Sequence, residues 1–487
     1  MNIVDPILFH CRWQPLAPAV CAPGTKLNAV TYGRLEQFIH NVGRNAREHG
    51  LKRHDVVALF IRDPILHIAF ILGLAKLGVV TVSRRELELP KELHVDALLA
   101  DASYPADASQ PAVRVDETWL NGPGTPSDET ARTATSPDDP CRIILTSGST
   151  GDAKAVARAS KHVFARVHGL QTVYGSRLPD CARIFVDMGL STGIGFTFLM
   201  YTLSRGGTLF MRTDKVIETL EALAAYRVQA IVASPKGLGE IAELCDRVPA
   251  FPGGLDVVIS SGSQLTRTLS ERVRSRLCTN LVSAYGSTEA GVVAAAPASA
   301  MARTEGAVGY VVPGVTVDVV DPSGAKLPPG KEGLLRIGGD CVVDGYVGDP
   351  ENTRLMFRDG GFYPGDVGAV TSNGVLVISG REQAVINLGG DKVNPERVEA
   401  AVTSFAGVRD AGAFTAMTPV GVSLLGSAVV WRGEADLSGL QEHLHQHLPP
   451  VFIPKLFVAV ESIPRNASGK IDRARLKEVA AQRANGQ

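Results

Sequence analysis

"VVALFIRDPILHIAFILGLAKLGVVTVS" runs from Val56 to Ser83. The opening "VVALFI" is a short apolar run stopped by Arg62-Asp63-Pro64, the pattern of a buried strand. "HIAFILGLAKLG" is too long for a strand and reads as a buried helix, and "VVTVS" returns to strand. Lys76 and two glycines interrupt the apolar stretch, which is too short to span a bilayer. A strand, a helix and a second strand in this order define a parallel-sheet α/β unit.

The alternation repeats outward from this unit. Upstream, "VTYGRLEQFIHNVGRNAREHG" carries apolar residues at helical spacing and stops at Gly50. Downstream come strand "RIILTS", a helix from about Ser160, and strand "RIFVDM". A helix, strand "GTLFM", helix "VIETLEALAAYR" and strand "AIVAS" follow. "LDVVISSG" and "NLVSAYGS" are further strands ending in small polar loops. From Gly306 the text changes to short β segments with Pro-Gly and Ser-Gly turns, and Asn373-Gly374 marks a hairpin. After Arg381 a smaller α+β unit of roughly a hundred residues is expected, giving domains 1–382 and 383–487. Residues 101–140 are rich in Pro, Ala, Ser and Asp and read as an irregular surface passage.

At 487 residues the chain exceeds one ordinary core. With 45% hydrophobic and 20% charged residues it has the composition of a folded, soluble protein. The net charge of -1 gives no basic field for nucleic acid. Seven cysteines at wide spacings, without C-x-x-C, argue for a reducing cytosol and against a disulfide framework or zinc site. The start "MNIVDPILFHCRW" has no basic n-region, so a signal peptide is not expected. A cytoplasmic protein with no membrane span is the expectation.

Five small polar clusters carry the chemistry. The first is the loop Thr146-Ser147-Gly148-Ser149-Thr150-Gly151 with Lys154 beyond it. Such a loop after a strand leaves backbone N–H groups free to curl around an anion. Its spacing is not that of the GxxxxGK[ST] loop. The second is "SAYGSTEAG", where Tyr285 offers an aromatic face and Glu289 a hard-oxygen ligand. The third is "FYPGDVG", with Asp366 able to accept from two ribose hydroxyls. The fourth is "SGREQAVINLGGDKVNPERVE" and the fifth "PRNASGKIDR", with Lys470.

These five clusters, in this order, resemble the adenylate-forming superfamily of acyl- and aryl-CoA ligases, peptide-synthetase adenylation domains and firefly luciferase. The resemblance covers nearly the whole chain. It implies an α/β fold with a large N-terminal region of two α/β subdomains plus a β-barrel, and a small mobile α+β C-terminal domain. It implies ATP with Mg²⁺, a carboxylic acid substrate, and coenzyme A or a carrier-protein phosphopantetheine as acceptor. An acyl- or aryl-CoA ligase is the first expectation; a stand-alone adenylation enzyme loading an acyl or peptidyl carrier protein in trans is the alternative, and a non-catalytic nucleotide-binding regulator on this fold the rival beyond that.

By the same resemblance, Thr146 to Gly151 and Lys154 would order the β- and γ-phosphates. Tyr285 would stack on adenine, with Gly286 and Ser287 beside it. Thr288 would bond the α-phosphate and Glu289 would hold the metal. Asp366 would take the ribose hydroxyls, with Arg381 adjacent, and Lys470 would bridge the acyl carboxylate and α-phosphate. Thr192, Gly193, Ser261 and Gly262 are expected in the acid pocket, Gln383 at the hinge, and Gly389 and Gly390 along the thiol path.

The sequence departs from the family pattern at four places. Ala153 and Ala155 flank Lys154 where proline and glycine are usual. Gln383 stands at the hinge position, and Asn387 where lysine is frequent. Thr192 occupies a position that often carries histidine, or aspartate in amino-acid-activating domains. It offers no charge for an α-ammonium, so an amino acid substrate is disfavoured. Gly193 and Gly195 either leave room for substrate or serve only as turn glycines. His443 and His447, at i and i+4, read as a wet helix face rather than a metal site, and the cysteines as core residues.

Overall fold

Strand Val56–Phe60, helix Pro64–Lys76 and strand Val80–Ser83 form as the sequence predicts, with the two strands parallel and Val56 opposite Val80. The Asp63 carboxylate accepts from the backbone N–H groups of Ile65 and Leu66, both at 2.9 Å, and Pro64 opens the first turn. Every residue from Ile65 to Lys76 is buried. Lys76 reaches Asp5 at 3.2 Å, which lets a lysine sit in an otherwise apolar helix. The computed structural model describes residues 1–487 except 85–88, 106–107, 109, 124–134, 147–152, 246–253, 264, 302–303, 305, 382–385, 389–390, 394, 418–422, 466–468 and 485–487.

Two sheets dominate the molecule. In the first the strand order is Val113–Arg114, Ala97–Ala100, Val56–Phe60, Val80–Ser83, Pro140–Thr146, Lys154–Ala159. All pairs are parallel except the last, an antiparallel pair whose second strand the sequence reading did not foresee. In the second sheet, parallel strands run from Pro18–Cys21 through Thr208–Met211, Arg183–Val186, Ala230–Ala233 and Val257–Ser261 to Leu281–Ser287. Antiparallel strands Gly291–Pro297, Ala307–Val311, Val375–Arg381 and Asp366–Val370 continue it. The segments after Gly306 are thus β-rich as expected, and strand Val315–Val320 pairs with Gly333–Gly339 beside this path. Gly374 adopts φ +80° between the last two strands, the left-handed backbone that an Asn-Gly hairpin needs. One large apolar cluster spans both sheets and the helices between them.

The C-terminal segment has its own cores. Val393, Val398, Leu425 and Leu440 centre one cluster, and Phe414, Val458 and Leu476 another. They lie on a three-stranded sheet of Val408–Met417, Ser423–Trp431 and Leu456–Ala459, covered by helices Pro395–Ser404, Leu437–His447 and Arg473–Ala484. Among the described residues no helix is long and apolar enough to cross a membrane.

Candidate active site

Strand Leu281–Ser287 delivers its loop at the edge where the parallel sheet turns antiparallel. A side chain at Gly286 would place its Cβ 2.0 Å from the Gly291 carbonyl oxygen, so only glycine allows this tight return. Ser287 Oγ accepts from the Ala290 N–H at 3.1 Å and closes the turn. Glu289 is thereby held 8% exposed, and Tyr346 donates to its Oε1 at 2.9 Å. Burial, with Glu289 next to it, pushes the Tyr346 hydroxyl up from its ordinary value. Lys154 Nζ lies 5.0 Å over the Tyr346 ring and donates to Asn352 Oδ1 at 3.0 Å. Thr146 Oγ1 donates to the Lys154 carbonyl at 3.4 Å.

Asp366 and Arg381 are directly opposed on paired strands, and Arg381 Nε meets Asp366 Oδ1 at 3.0 Å. The Tyr285 hydroxyl donates to Asp366 Oδ2. Burial first, and the Asp366 carboxylate second, hold the Tyr285 phenol well above its usual range.

Lys470 follows Gly469, whose φ of +80° turns the chain just before the bridge between Arg465 and Ile471. It keeps part of its surface open to the cleft but is crowded by protein. That crowding, and then the Arg381 guanidinium, lower its pKa, while Asp366, Glu289 and Glu396 oppose the change. A lysine from the C-terminal segment therefore stands within electrostatic reach of both acids supplied by the larger region. These groups line one continuous cleft of 3970 Å³.

The residues expected at the acid pocket lie together on one side of this cleft. Thr192, Gly193, Ser261 and Gly262 all line the cleft. Thr192 caps helix Gly193–Leu203: its Oγ1 accepts from Gly195 N–H at 3.0 Å and donates to the Gly189 carbonyl at 2.8 Å. Its hydroxyl is spent on the fold. Neither glycine is mere spare room or a turn residue. A Cβ at 193 would lie 2.4 Å from Arg158 Nη2, and one at 195 would lie 2.3 Å from the Gly189 oxygen.

Two arginines missed by the sequence reading organise this end. Arg166 donates to the carbonyls of Thr288 at 2.9 Å, Glu289 at 2.7 Å and Cys341 at 2.8 Å. Arg158 donates to the Gly193 carbonyl at 3.0 Å, Thr197 Oγ1 at 3.1 Å and the Thr288 carbonyl at 3.3 Å. Tyr346 and Asn352 were also missed. Nothing in "DGYVGDPENT" sets a tyrosine and an asparagine apart from ordinary loop residues.

The expectations for Ser147, Gly148, Ser149, Thr150, Gly151, Gln383, Gly389 and Gly390 lie outside the described residues. His443 bonds Ser404 Oγ at 2.7 Å and its ring stacks 4.1 Å from that of His447. Among the described residues no cluster of three or more His, Cys, Asp or Glu side chains could hold a metal. The cysteines are free; four are buried, Cys278 and Cys341 are half-buried, and Cys181 is exposed, so the core reading holds for only part of the set.

Residues 10–347 match the family model for the AMP-binding enzymes, and the chain belongs to that family. It is 29% identical to an isonitrile lipopeptide synthase of Streptomyces coeruleorubidus over 93% of its own length and 32% of that protein's. It is 29% identical to MmaC of Mycobacterium marinum, a fatty acid–[acyl-carrier-protein] ligase, over 100% of its own length and 99% of the relative's. Against two further relatives it spans only 6% and 28% of their length. Among solved structures, the O-succinylbenzoate coenzyme A synthetase of Bacillus subtilis in complex with AMP superposes with a TM-score of 0.84. That match has 19% identity and covers 97% of this chain and 98% of the other.

Proposed function

We propose that this enzyme activates a carboxylic acid with ATP as an acyl-adenylate, releases pyrophosphate, and passes the acyl group to a thiol. The observation that carries the reading is Lys470: a cation from the C-terminal segment enters the cleft beside Arg381, Asp366 and Glu289. A carboxylate is a poor nucleophile toward the polyanionic triphosphate, because like charges repel. Lys470 lowers that repulsion by sitting between the acid's carboxylate and the α-phosphate, where charge develops. Asp366 and Arg381 hold the ribose, and Tyr285 covers the base. Lys154, at the far side of Glu289, takes the outer phosphates.

Glu289 fits a magnesium role. It is a buried carboxylate lining the cleft, and Mg²⁺ prefers one or two carboxylates completed by phosphate and water oxygens. When bound, the ion would neutralise charge on the triphosphate. No protein nucleophile is needed.

Coenzyme A is our first choice of acceptor, supported by the likeness to a coenzyme A synthetase. Loading of a carrier protein in trans is the second reading, favoured by the full-length match to an acyl-carrier-protein ligase. We also take 383–487 to be a domain that turns about Gln383 between the two half-reactions, bringing Gly389 and Gly390 to the thiol. The deciding experiment is ATP–pyrophosphate exchange with a panel of acids, followed by thioester assays with coenzyme A and with a phosphopantetheinylated carrier. Exchange with no acid would refute the proposal.

A further inference from the structure

Arg142, Arg158 and Arg166 are buried together behind the acid-pocket wall, at 0%, 2% and 4% exposure. Arg142 donates to Thr81 Oγ1 at 2.9 Å and to the Leu190 carbonyl at 2.8 Å. Among the described residues none of the three forms an ion pair with a carboxylate, and all their acceptors are neutral oxygens. Glu289 raises the pKa of both Arg158 and Arg166, and it serves the metal side in our reading. Two other acids of the cleft wall, Asp187 and Glu240, are already held by Arg212 at 3.1 and 2.8 Å. Burial pulls all three guanidinium groups below their ordinary value. Arginine nevertheless stays protonated, so the fold carries an excess of buried positive charge.

Arg158 and Arg166 both line the cleft, but Arg166 spends Nε and both terminal nitrogens on the carbonyls of Thr288, Glu289 and Cys341, whereas Arg158 has donors to spare. Three of its five N–H donors are used, and Nε has no partner among the described residues. It stands at the first turn of helix Gly193–Leu203, whose backbone dipole adds positive potential. Gly193 is what allows it there, since any side chain would displace Nη2. The nucleotide end of the cleft has its own cations, Arg381 and Lys470, beside Asp366 and Glu289. The charges nearest Arg158 are instead Arg166, Arg142 and Glu289.

Resting on the ligase reading, we infer that Arg158 is a specificity-determining residue that meets a second anionic group on the acid, so that the preferred substrates are dicarboxylic. One carboxylate reacts beside Lys470 while the other neutralises the buried arginines. A charge-assisted hydrogen bond to a buried cation is among the strongest available to a ligand. An acid lacking the second anion leaves the cation uncompensated.

The test is ATP–pyrophosphate exchange by the full-length enzyme with linear and aromatic dicarboxylic acids, each beside its monomethyl ester. The wild type should prefer the best diacid over its ester by about 10- to 100-fold in kcat/KM. Arg158→Met should abolish that preference, raising KM for the diacid well above any rise for its ester, whatever kcat the two substrates lose in common through the freed Thr288 carbonyl. Arg158→Lys should restore part of it. Thermal melts establish that each variant is folded, and the wild-type preference needs no variant at all. Exchange with esters but not diacids, or an equal loss for both in Arg158→Met, overturns the assignment and leaves the ligase reading standing. Exchange with no acid of either kind overturns both.

Discussion

The hydroxyl of Tyr285 and the carboxylate of Asp366, 81 residues apart, are hydrogen-bonded to each other across the cleft wall. Arg381 holds the other carboxylate oxygen at 3.0 Å. Each oxygen proposed to bind ribose already accepts one protein hydrogen bond, so a ribose hydroxyl either takes a remaining lone pair or displaces the tyrosine hydroxyl, and displacement is what we expect. Tyr285→Phe keeps the aromatic face and removes the competitor. Its KM for ATP should stay level or fall by up to about tenfold, whereas Asp366→Asn should raise KM about 10-fold or more. Steady-state kinetics at saturating acid distinguishes the two, and a higher KM in the phenylalanine variant would contradict the displacement.

Glu289 is the buried acid on which Tyr346 closes. Glu289→Gln preserves that contact's shape but not its charge. Adenylation should drop by roughly 10²–10³, as for loss of one preorganised electrostatic group, with little change in melting temperature. A magnesium titration should show a weakened requirement; an unchanged rate would remove Glu289 from the metal role.

On the proposed mechanism, Lys470 and the hinge separate the half-reactions. Lys470→Ala should block adenylate formation yet still convert supplied acyl-adenylate to thioester. Gln383→Pro fixes one backbone angle and should slow thioester formation selectively. Equal loss in both half-reactions for Lys470→Ala would mean that the lysine serves the fold or both steps alike.

The lowered pKa of Lys470 has a definite sign. Burial and then Arg381 favour the neutral amine, so the cation is present at low pH and lost as pH rises, earlier than for an ordinary lysine. The kcat/KM for adenylation should fall on the alkaline side, and Lys470→Arg should remove that limb even if its absolute rate is low. A limb that survives in the arginine variant belongs to another group.

Gly195 offers a test free of chemistry. A Cβ there would lie 2.3 Å from the Gly189 oxygen and 2.7 Å from that of Met188, both backbone atoms that cannot rotate away. Gly195→Ala should cost about 1–3 kcal/mol, visible as a lowered urea midpoint.

The unit from Val56 to Ser83 was legible because its stop signals are local: Pro64 and Asp63 open the helix, and Gly78 closes it. Glu289, Asp366 and Lys470 stood out because each sits in a distinctive short cluster, and the fold brings all three to one cleft. Arg158 and Arg166 did not, because nothing within a few residues of either marks it; their partners lie more than thirty positions away, at Gly193, Thr288 and Cys341. Thr192 shows a different limit. Its position suggested substrate contact, and the structure adds a cap that the sequence reading did not consider. Strand Lys154–Ala159 was overlooked because "KAVARA" has weak strand propensity and gains its place by pairing with Pro140–Thr146.

The carbonyl of Thr288 accepts from Arg158 on one side and Arg166 on the other. One atom is thus a shared anchor for the wall proposed to select the acid and the loop that precedes Glu289. Anyone re-engineering the enzyme for a different acid will find these two jobs geared together. A substitution that shifts Arg158 to admit a bulkier substrate also tugs on the loop that carries Glu289, and gains in scope will be won at the expense of turnover unless Arg166 is left to hold the loop alone.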